Sequence, residues 1–260
     1  RPGEGDAYHN RCMSMVKVLS EYILSLGQEA YIPNFFCKAY RPVLYIPSKE
    51  EVKELLQKMD IRTSHNSEQF RLDRECKILF LLYFCCGLRL SEGRLLKWEH
   101  IDLDKGILTV LGSKGNKDRL VYLPQDSLPV LKNYKERQEM LFPGIDWAFP
   151  GKDPHKPVSC SGVESSFNRH WAMLPVARTV DKHPTPHCLR HAFVVERFNE
   201  WMHQGIDTNT MLPYLSRYLG HKSPDETYYY YHLAGKAFDT IREKDSVSGK
   251  VIPEVIPYEE

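Results

Sequence analysis

Six dispersed residues of this 260-residue chain have the side-chain chemistry needed to bind a phosphate ester and attack it. Guanidinium and ammonium groups bind phosphate oxygens, an imidazole moves protons, and a phenol acts as a nucleophile. The six residues are Arg89, Lys114, His187, Arg190, His221 and Tyr230. Such a set would suffice to exchange one phosphate ester for another without a metal ion or ATP.

Taken singly, the cationic residues are ambiguous. His187 and Arg190 are three residues apart at the predicted start of a helix, so both can reach one phosphate. Arg89 follows an apolar run, where a buried ion pair with Glu92 is an equally good interpretation. Lys114 lies in a predicted loop next to glycine, which allows close approach of a ligand, although most loop lysines are simply solvated.

Tyr230 is one of four consecutive tyrosines, Tyr228–Tyr231. Successive helical residues point about 100° apart, so at most one of the four can face a given phosphate. Taken alone, the run is more typical of an aromatic helix face packed in a core. The chemistry therefore depends on the elements that position these side chains.

Hydrophobic periodicity and capping signals predict a chain that is mainly helical. We predict helices at residues 8–26, 48–59, 71–86, 91–100, 125–140, 162–171, 189–203, 208–218 and 226–242. Ser48 and Glu51 have the spacing of a capping box, and Gly87 would end the helix that precedes it. Two β-type runs, 107–111 and 120–123, flank a hairpin. The predicted fold class is mainly α with a small antiparallel β-sheet.

Bulk composition is that of a globular protein, with 42% hydrophobic and 27% charged residues. The longest apolar run has nine residues, Ile78–Cys86, which is too short to cross a bilayer. Seven cysteines without a C-x-x-C pair favour reduced thiols in the cytoplasm over a zinc site. A net charge of +1 is weak evidence against nucleic-acid binding, yet Lys114, Lys117 and Arg119 cluster at the hairpin.

The order of the motifs identifies a family where the single residues do not. G-L-R-L-S-E, G-S-K-G-N-K-D-R, H-C-L-R-H and L-G-H, with a tyrosine nine residues later, resemble the tyrosine recombinase (phage integrase) family over residues 46–233. The stretch L-P-Y-L-S-R-Y-L-G-H-K-S resembles integrases of bacterial transposons and other mobile elements. The ending Y-Y-H-L selects Tyr230. Lys114 matches the family lysine by its place before Gly115, with Lys117 as the alternative.

This resemblance implies a catalytic domain at residues 46–245. Residues 1–45 would be the remnant of an N-terminal core-binding domain with a linker. Residues 246–260 would be a tail that docks on a neighbouring protomer, or equally a disordered tail. The implied reaction is site-specific recombination of a mobile element, by integration or excision, through a 3′-phosphotyrosine and without a cofactor. The implied partners are double-stranded DNA, contacted also by Lys117 and Arg119, and further protomers in a dimer to tetramer.

The resemblance also implies specific roles. Tyr230 would attack the phosphate, Arg89 and Arg190 would bind its oxygens, and His221 would donate a hydrogen bond to it. Lys114 would protonate the leaving oxygen, and His187 would serve as general base or proton relay. The implied location is the bacterial cytoplasm, in association with the nucleoid and not with a membrane. Two alternatives remain: a type IB topoisomerase that relaxes DNA, and a catalytically silent DNA-binding regulator.

Overall fold

The structure is a computed structural model that describes residues 4–34, 36–37, 45–61, 65–113, 117–180 and 183–230. The chain divides into two compact units, residues 1–44 and 45–260. Mainly helical structure with one small antiparallel sheet confirms the predicted fold class. In the ranges described, no helix is long and apolar enough to span a lipid bilayer.

The first unit is built on a single long helix, α1 (Glu4–Ser25), which begins earlier than predicted. A turn follows, in which Gly27 has a φ of +77°. The Asn10 side chain binds the backbone of Cys37 twice, since Oδ1 accepts from the amide and Nδ2 donates to the carbonyl. These two bonds anchor the segment that follows the helix onto the helix itself.

The second unit contains eight helices within the described residues. They are α2 (Lys49–Lys58), α3 (Ser67–Cys86), α4 (Leu90–Arg94), α5 (Leu128–Leu141), α6 (Cys160–Trp171), α7 (Cys188–His203), α8 (Thr208–Leu219) and α9 (Asp225–Tyr228). The predicted capping box is present, because Ser48 Oγ accepts from the Glu51 amide and the Glu51 carboxylate accepts from the Ser48 amide. Of the helix predicted at 226–242, only the first turns fall within the described residues.

The sheet consists of β1 (Ile101–Asp102), β2 (Ile107–Ser113) and β3 (Lys117–Tyr122) in the order β1-β2-β3. Both pairings are antiparallel, and Leu108 opposite Val121 places two buried side chains on the core face. The predicted hairpin is therefore present, with each strand two residues longer than expected. Its tip, residues 114–116, lies outside the described residues, and so does Lys114.

The helix predicted at 91–100 is wrong in its second half. Helix α4 ends at Arg94, and a separate 3-10 turn covers Trp98–His100. The backbone amide of Trp98 donates to Asp146 at 2.9 Å, and that of Ala148 donates to Leu96 at 2.9 Å. These long-range bonds use the amide and carbonyl groups that a continued helix would need, so the helix stops.

Helix α3 lies at the centre of the unit and packs against α6 and α7. Phe80 of α3 meets Phe167 of α6 edge to face, with ring centroids 5.6 Å apart. This packing fixes the C-terminal end of α3 beside the N-terminal turn of α7. Arg89 follows the C-terminal end of α3 and Arg190 lies in the N-terminal turn of α7, so packing of the core positions both residues.

Glu75 on α3 gives the fold a pH-dependent stability. Burial raises the pKa of its carboxyl to about 7, against the opposing effect of Arg71, whose Nη1 lies 2.7 Å from Oε1. A folded-state pKa above the unfolded value means that stability falls as pH rises from about 4.5 to 7. We expect the wild-type protein to lose about 3 kcal/mol of unfolding free energy over this window, and Glu75→Gln not to show this loss. Urea unfolding of both proteins at several pH values measures the difference, and parallel stability curves would contradict it.

Candidate active site

Three arginines from distant parts of the chain converge on the carboxylate of Glu92. Arg89 Nη1 lies 2.8 Å from Oε1, and Arg119 makes a two-pronged pair with both oxygens at 2.8 Å. Arg190 Nη1 is 3.9 Å from Oε2, and the backbone amide of Arg89 donates to the same oxygen at 2.7 Å. Glu92 therefore holds the guanidinium groups of Arg89, just before α4, of Arg119 in β3 and of Arg190 in α7 within one small volume.

The C-terminal ends of two helices supply the remaining partners of these arginines. Gly87 ends α3, and its carbonyl accepts from Arg190 at 2.6 Å. At the end of α8, the carbonyl of Leu219 accepts from Arg190 at 2.8 Å, and those of Gly220 and Tyr218 accept from Arg89 and Arg119. Carbonyls at a helix C-terminus have no partners within the helix and carry the negative end of its dipole. They stabilise cations that would otherwise repel one another.

The electrostatics of the cluster follow from this geometry. Burial alone would raise the pKa of Glu92, but hydrogen bonds from Arg119 and Arg89 outweigh it and lower the pKa to about 2. Burial and the charge of Arg89 lower the pKa of Arg190 to about 10, so its guanidinium stays charged at neutral pH.

His221 is a neutral imidazole of defined tautomer. Its Nε2 lies 3.0 Å from Nη2 of Arg190, which can only donate, so Nε2 accepts. The proton must then be on Nδ1, which donates to Thr227 Oγ1 at 2.6 Å. Burial and the charges of Arg190 and Arg89 lower the pKa of His221 to about 3. Helix α9, which carries Thr227, thus orients the imidazole.

Tyr230 lies just after α9 and is buried, with 7% of its surface exposed. Tyr228 and Tyr229 are 42% and 39% exposed, so the neighbouring residues do not share its environment. The Tyr230 hydroxyl forms a 2.5 Å hydrogen bond with Nδ1 of His191. Burial raises the pKa of this phenol to about 12, although Arg190 acts in the opposite direction.

His187 stands at the N-terminus of α7 with an exposed edge. Its ring meets that of His191 edge on, with centroids 4.7 Å apart. Desolvation, followed by the charges of Arg190 and Arg89, lowers the pKa of His187 to about 4. At neutral pH the cluster therefore comprises three guanidinium groups, one carboxylate and neutral imidazoles, a net charge of about +2.

The structure brings most of the predicted residues together. Arg89, Arg190 and His221 are in one hydrogen-bonded cluster, and His187 and Tyr230 both contact His191. The main chain of Lys117 is in β3. Arg119, predicted to contact DNA, directs its guanidinium into the cluster, and its side chain is 10% exposed.

Two residues of the site had no predicted role. His191 stands in the motif H-C-L-R-H directly after Arg190, four residues after His187 and so on the same helix face. That spacing is the feature of the sequence that could have identified His191 as a site residue. No feature of the sequence identified Thr227, because its contact with His221 depends on how α8 and α9 pack.

Gly87 is a position where a small change should disturb the site. Its φ of +62° is left-handed, and an added Cβ would lie 2.6 Å from the Phe193 ring. We expect Gly87→Ala to cost about 3 kcal/mol of stability through backbone strain and overpacking. Gly205→Ala is the control, since Gly205 has a similar φ of +70° with open space around it, so only strain of about 1 kcal/mol is expected. Thermal unfolding measures both, and equal losses would exclude the packing contribution.

Comparison with known proteins gives consistent matches. Residues 48–236 match the family model described as the phage integrase family. The putative integrase/recombinase y4rB of Sinorhizobium fredii is 29% identical over 238 residues, with 84% of this chain and 71% of that protein covered. Tyrosine recombinase XerC of Alcanivorax borkumensis is 29% identical over 235 residues, with 90% and 71% covered.

Solved structures give the same fold. The Tn1549 transposon integrase, in complex with circular intermediate DNA, has a TM-score of 0.62 at 15% identity and covers 92% of this chain and 78% of its own. XerH bound to its difH substrate before cleavage has a TM-score of 0.62 at 21% identity, with 90% and 63% covered. The family match spans well over half of the chain and includes every residue of the cluster. The chain belongs to the phage integrase family and is a tyrosine-type site-specific DNA recombinase.

Proposed function

We propose that this recombinase cleaves double-stranded DNA by attack of Tyr230 on a scissile phosphate. A 3′-phosphotyrosine would form and a 5′-hydroxyl would leave. One phosphodiester is exchanged for another ester, so the reaction needs no ATP. A 5′-hydroxyl from a second duplex would then attack the phosphotyrosine and join the strands. Repetition on the other strands gives integration or excision of a mobile element.

The observation that carries this proposal is the arginine cluster beside a buried tyrosine. A phosphodiester carries one negative charge, and the five-coordinate transition state formed by attack of a phenolate carries two. The net charge of about +2 in the cluster, with His187 and His221 neutral, matches the transition state better than the ground state. Stabilising the transition state more than the substrate is what accelerates a reaction.

Each side chain then has a role. Arg89 and Arg190 bind the non-bridging oxygens by turning donors from the helix-end carbonyls to the phosphate. Once Arg190 turns away, His221 can donate from Nε2 to a phosphate oxygen if its proton moves from Nδ1 to Nε2 and the Thr227 hydroxyl donates to Nδ1 instead. Glu92 keeps the guanidinium groups together, and Arg119 supports this arrangement from β3. Lys114, or Lys117 in its place, protonates the leaving 5′-oxygen.

Recombination requires two DNA sites in one assembly, so we propose that protomers associate on DNA as a dimer to tetramer. In this proposal residues 46–245 are the catalytic domain and residues 1–45 are part of a DNA-clamping domain. Residues 246–260 dock on a neighbouring protomer. Lys117 contacts DNA from the hairpin, whereas Arg119 acts through Glu92. XerH, of the same fold, has been solved bound to its difH substrate.

Covalent capture tests the proposal. The probe is a duplex library with randomised positions and a fixed nick just 3′ of the cleavage window, so that the short released strand diffuses away. We expect adducts that survive denaturation, carry enriched sequences and map to Tyr230 by peptide mass spectrometry. Adducts on Tyr228 or Tyr229 would refute the assignment of the nucleophile. Relaxation of a supercoiled plasmid without site preference would indicate a topoisomerase.

A further inference from the structure

The hydrogen bond between Tyr230 and His191 is the starting point. The two atoms are 2.5 Å apart, and both residues are at least nine-tenths buried. The tyrosine ring packs in an apolar cluster that includes Phe193 and Leu219. Within the ranges that the structure describes, no other side chain is hydrogen-bonded to this phenol. With the His191 proton on Nε2, Nδ1 is the acceptor for the phenolic proton.

His187, the residue expected to act as general base, does not occupy that position. Its ring contacts His191 rather than Tyr230, and it retains an exposed edge. The ring of His191 lies 5.2 Å from the tyrosine ring, centroid to centroid. His191 thus stands between His187 and the nucleophile.

We infer that His191 is a catalytic residue whose Nδ1 accepts the phenolic proton of Tyr230 as the phenol oxygen attacks phosphorus. This inference rests on the proposed function. In the step, the Tyr230 O–H bond breaks and an Oη–P bond forms. The P–O5′ bond breaks, and its oxygen takes a proton from the general acid. His191 becomes an imidazolium, and the reverse step returns the proton to the phenol.

In the free protein both groups are neutral and the gap between their pKa values opposes proton transfer, so the transfer depends on the charge that bound DNA brings. Burial and the neighbouring His187, Arg190 and His221 lower the pKa of His191 to about 3, so the imidazole is a free base at neutral pH. The phenol, with its pKa raised to about 12, keeps its proton and donates it to Nδ1. A bound phosphate adds negative charge beside these groups. That charge favours the imidazolium formed during attack.

The test compares His191→Gln with His187→Gln on a duplex selected by covalent capture. Glutamine at 191 can still accept a hydrogen bond from the phenol but cannot hold the proton. We expect adduct formation by His191→Gln in single turnover to slow about 100-fold or more, with DNA binding retained. The matched His187→Gln variant should slow less. Imidazole added to His191→Ala should restore part of the rate, which a structural role alone would not produce.

A substrate with sulfur in place of the leaving 5′-oxygen separates the two proton transfers. A thiolate leaves without protonation, so this substrate should rescue Lys114→Ala but not His191→Gln. Wild-type cleavage by His191→Gln, rescue of that variant by sulfur, or the absence of imidazole rescue would overturn the role of His191. If the wild-type protein forms no adduct with any duplex, the proposed function fails instead.

Discussion

Replacing Tyr230 with phenylalanine should abolish covalent capture of DNA while the protein still folds and binds the duplex. The change removes one oxygen atom, and with it the nucleophile and the partner of His191. Losing a single neutral hydrogen bond costs about 1 kcal/mol, so the apolar cluster around the ring should remain intact. Adduct formation, measured by gel shift under denaturing conditions, should fall below detection.

The matched controls are Tyr229→Phe and Tyr228→Phe. Both side chains are more than a third exposed, whereas Tyr230 is 7% exposed, and the same oxygen is removed in each case. Adduct formation should change less than about threefold, the scale of a modest surface effect. Persistent capture by Tyr230→Phe, or its loss in either control, would contradict the assignment of the nucleophile.

The sequence predicted the local features of this site because short-range chemistry determines them. Ser48 and Glu51 are three residues apart, and a capping box depends only on that spacing. Gly87 ends α3 because a left-handed residue after a long helix favours glycine. The order of the motifs was enough to predict that Arg89, Arg190 and His221 lie together.

Contacts between distant segments could not be predicted in the same way. The bond from Tyr230 to His191 spans 39 residues and depends on the packing of α9 against α8 and of α8 against α7. The early end of α4 depends on backbone bonds from Leu96 and Trp98 to a loop some 50 residues later. Arg119 was interpreted as a surface cation because the sequence shows its charge. The sequence does not show that Arg119 pairs with Glu92, 27 residues earlier.

Glu92→Gln should be the most damaging single change to the cluster. The substitution keeps the shape of the side chain but removes the negative charge that three arginines share. Removing one partner of a buried ion pair costs about 3–5 kcal/mol, because the other charges are left uncompensated. Cleavage should be lost as well, since Arg89 and Arg190 would move apart before a phosphate arrives. Urea unfolding and covalent capture measure the two effects.

The same carboxylate predicts a specific acid response. Its folded-state pKa of about 2 lies below the unfolded value of about 4.5, so its stabilisation is present above pH 4.5 and is lost as pH falls towards 2. The difference between the two pKa values corresponds to about 3 kcal/mol of unfolding free energy. The wild-type protein should lose this amount over that window, and Glu92→Gln should not. Glu75→Gln is the control of opposite sign, because burial raises the pKa of Glu75 and its removal should stabilise the protein above pH 7. If Glu92→Gln were as stable as the wild-type protein at pH 8, Glu92 would not be the residue that holds the arginines together.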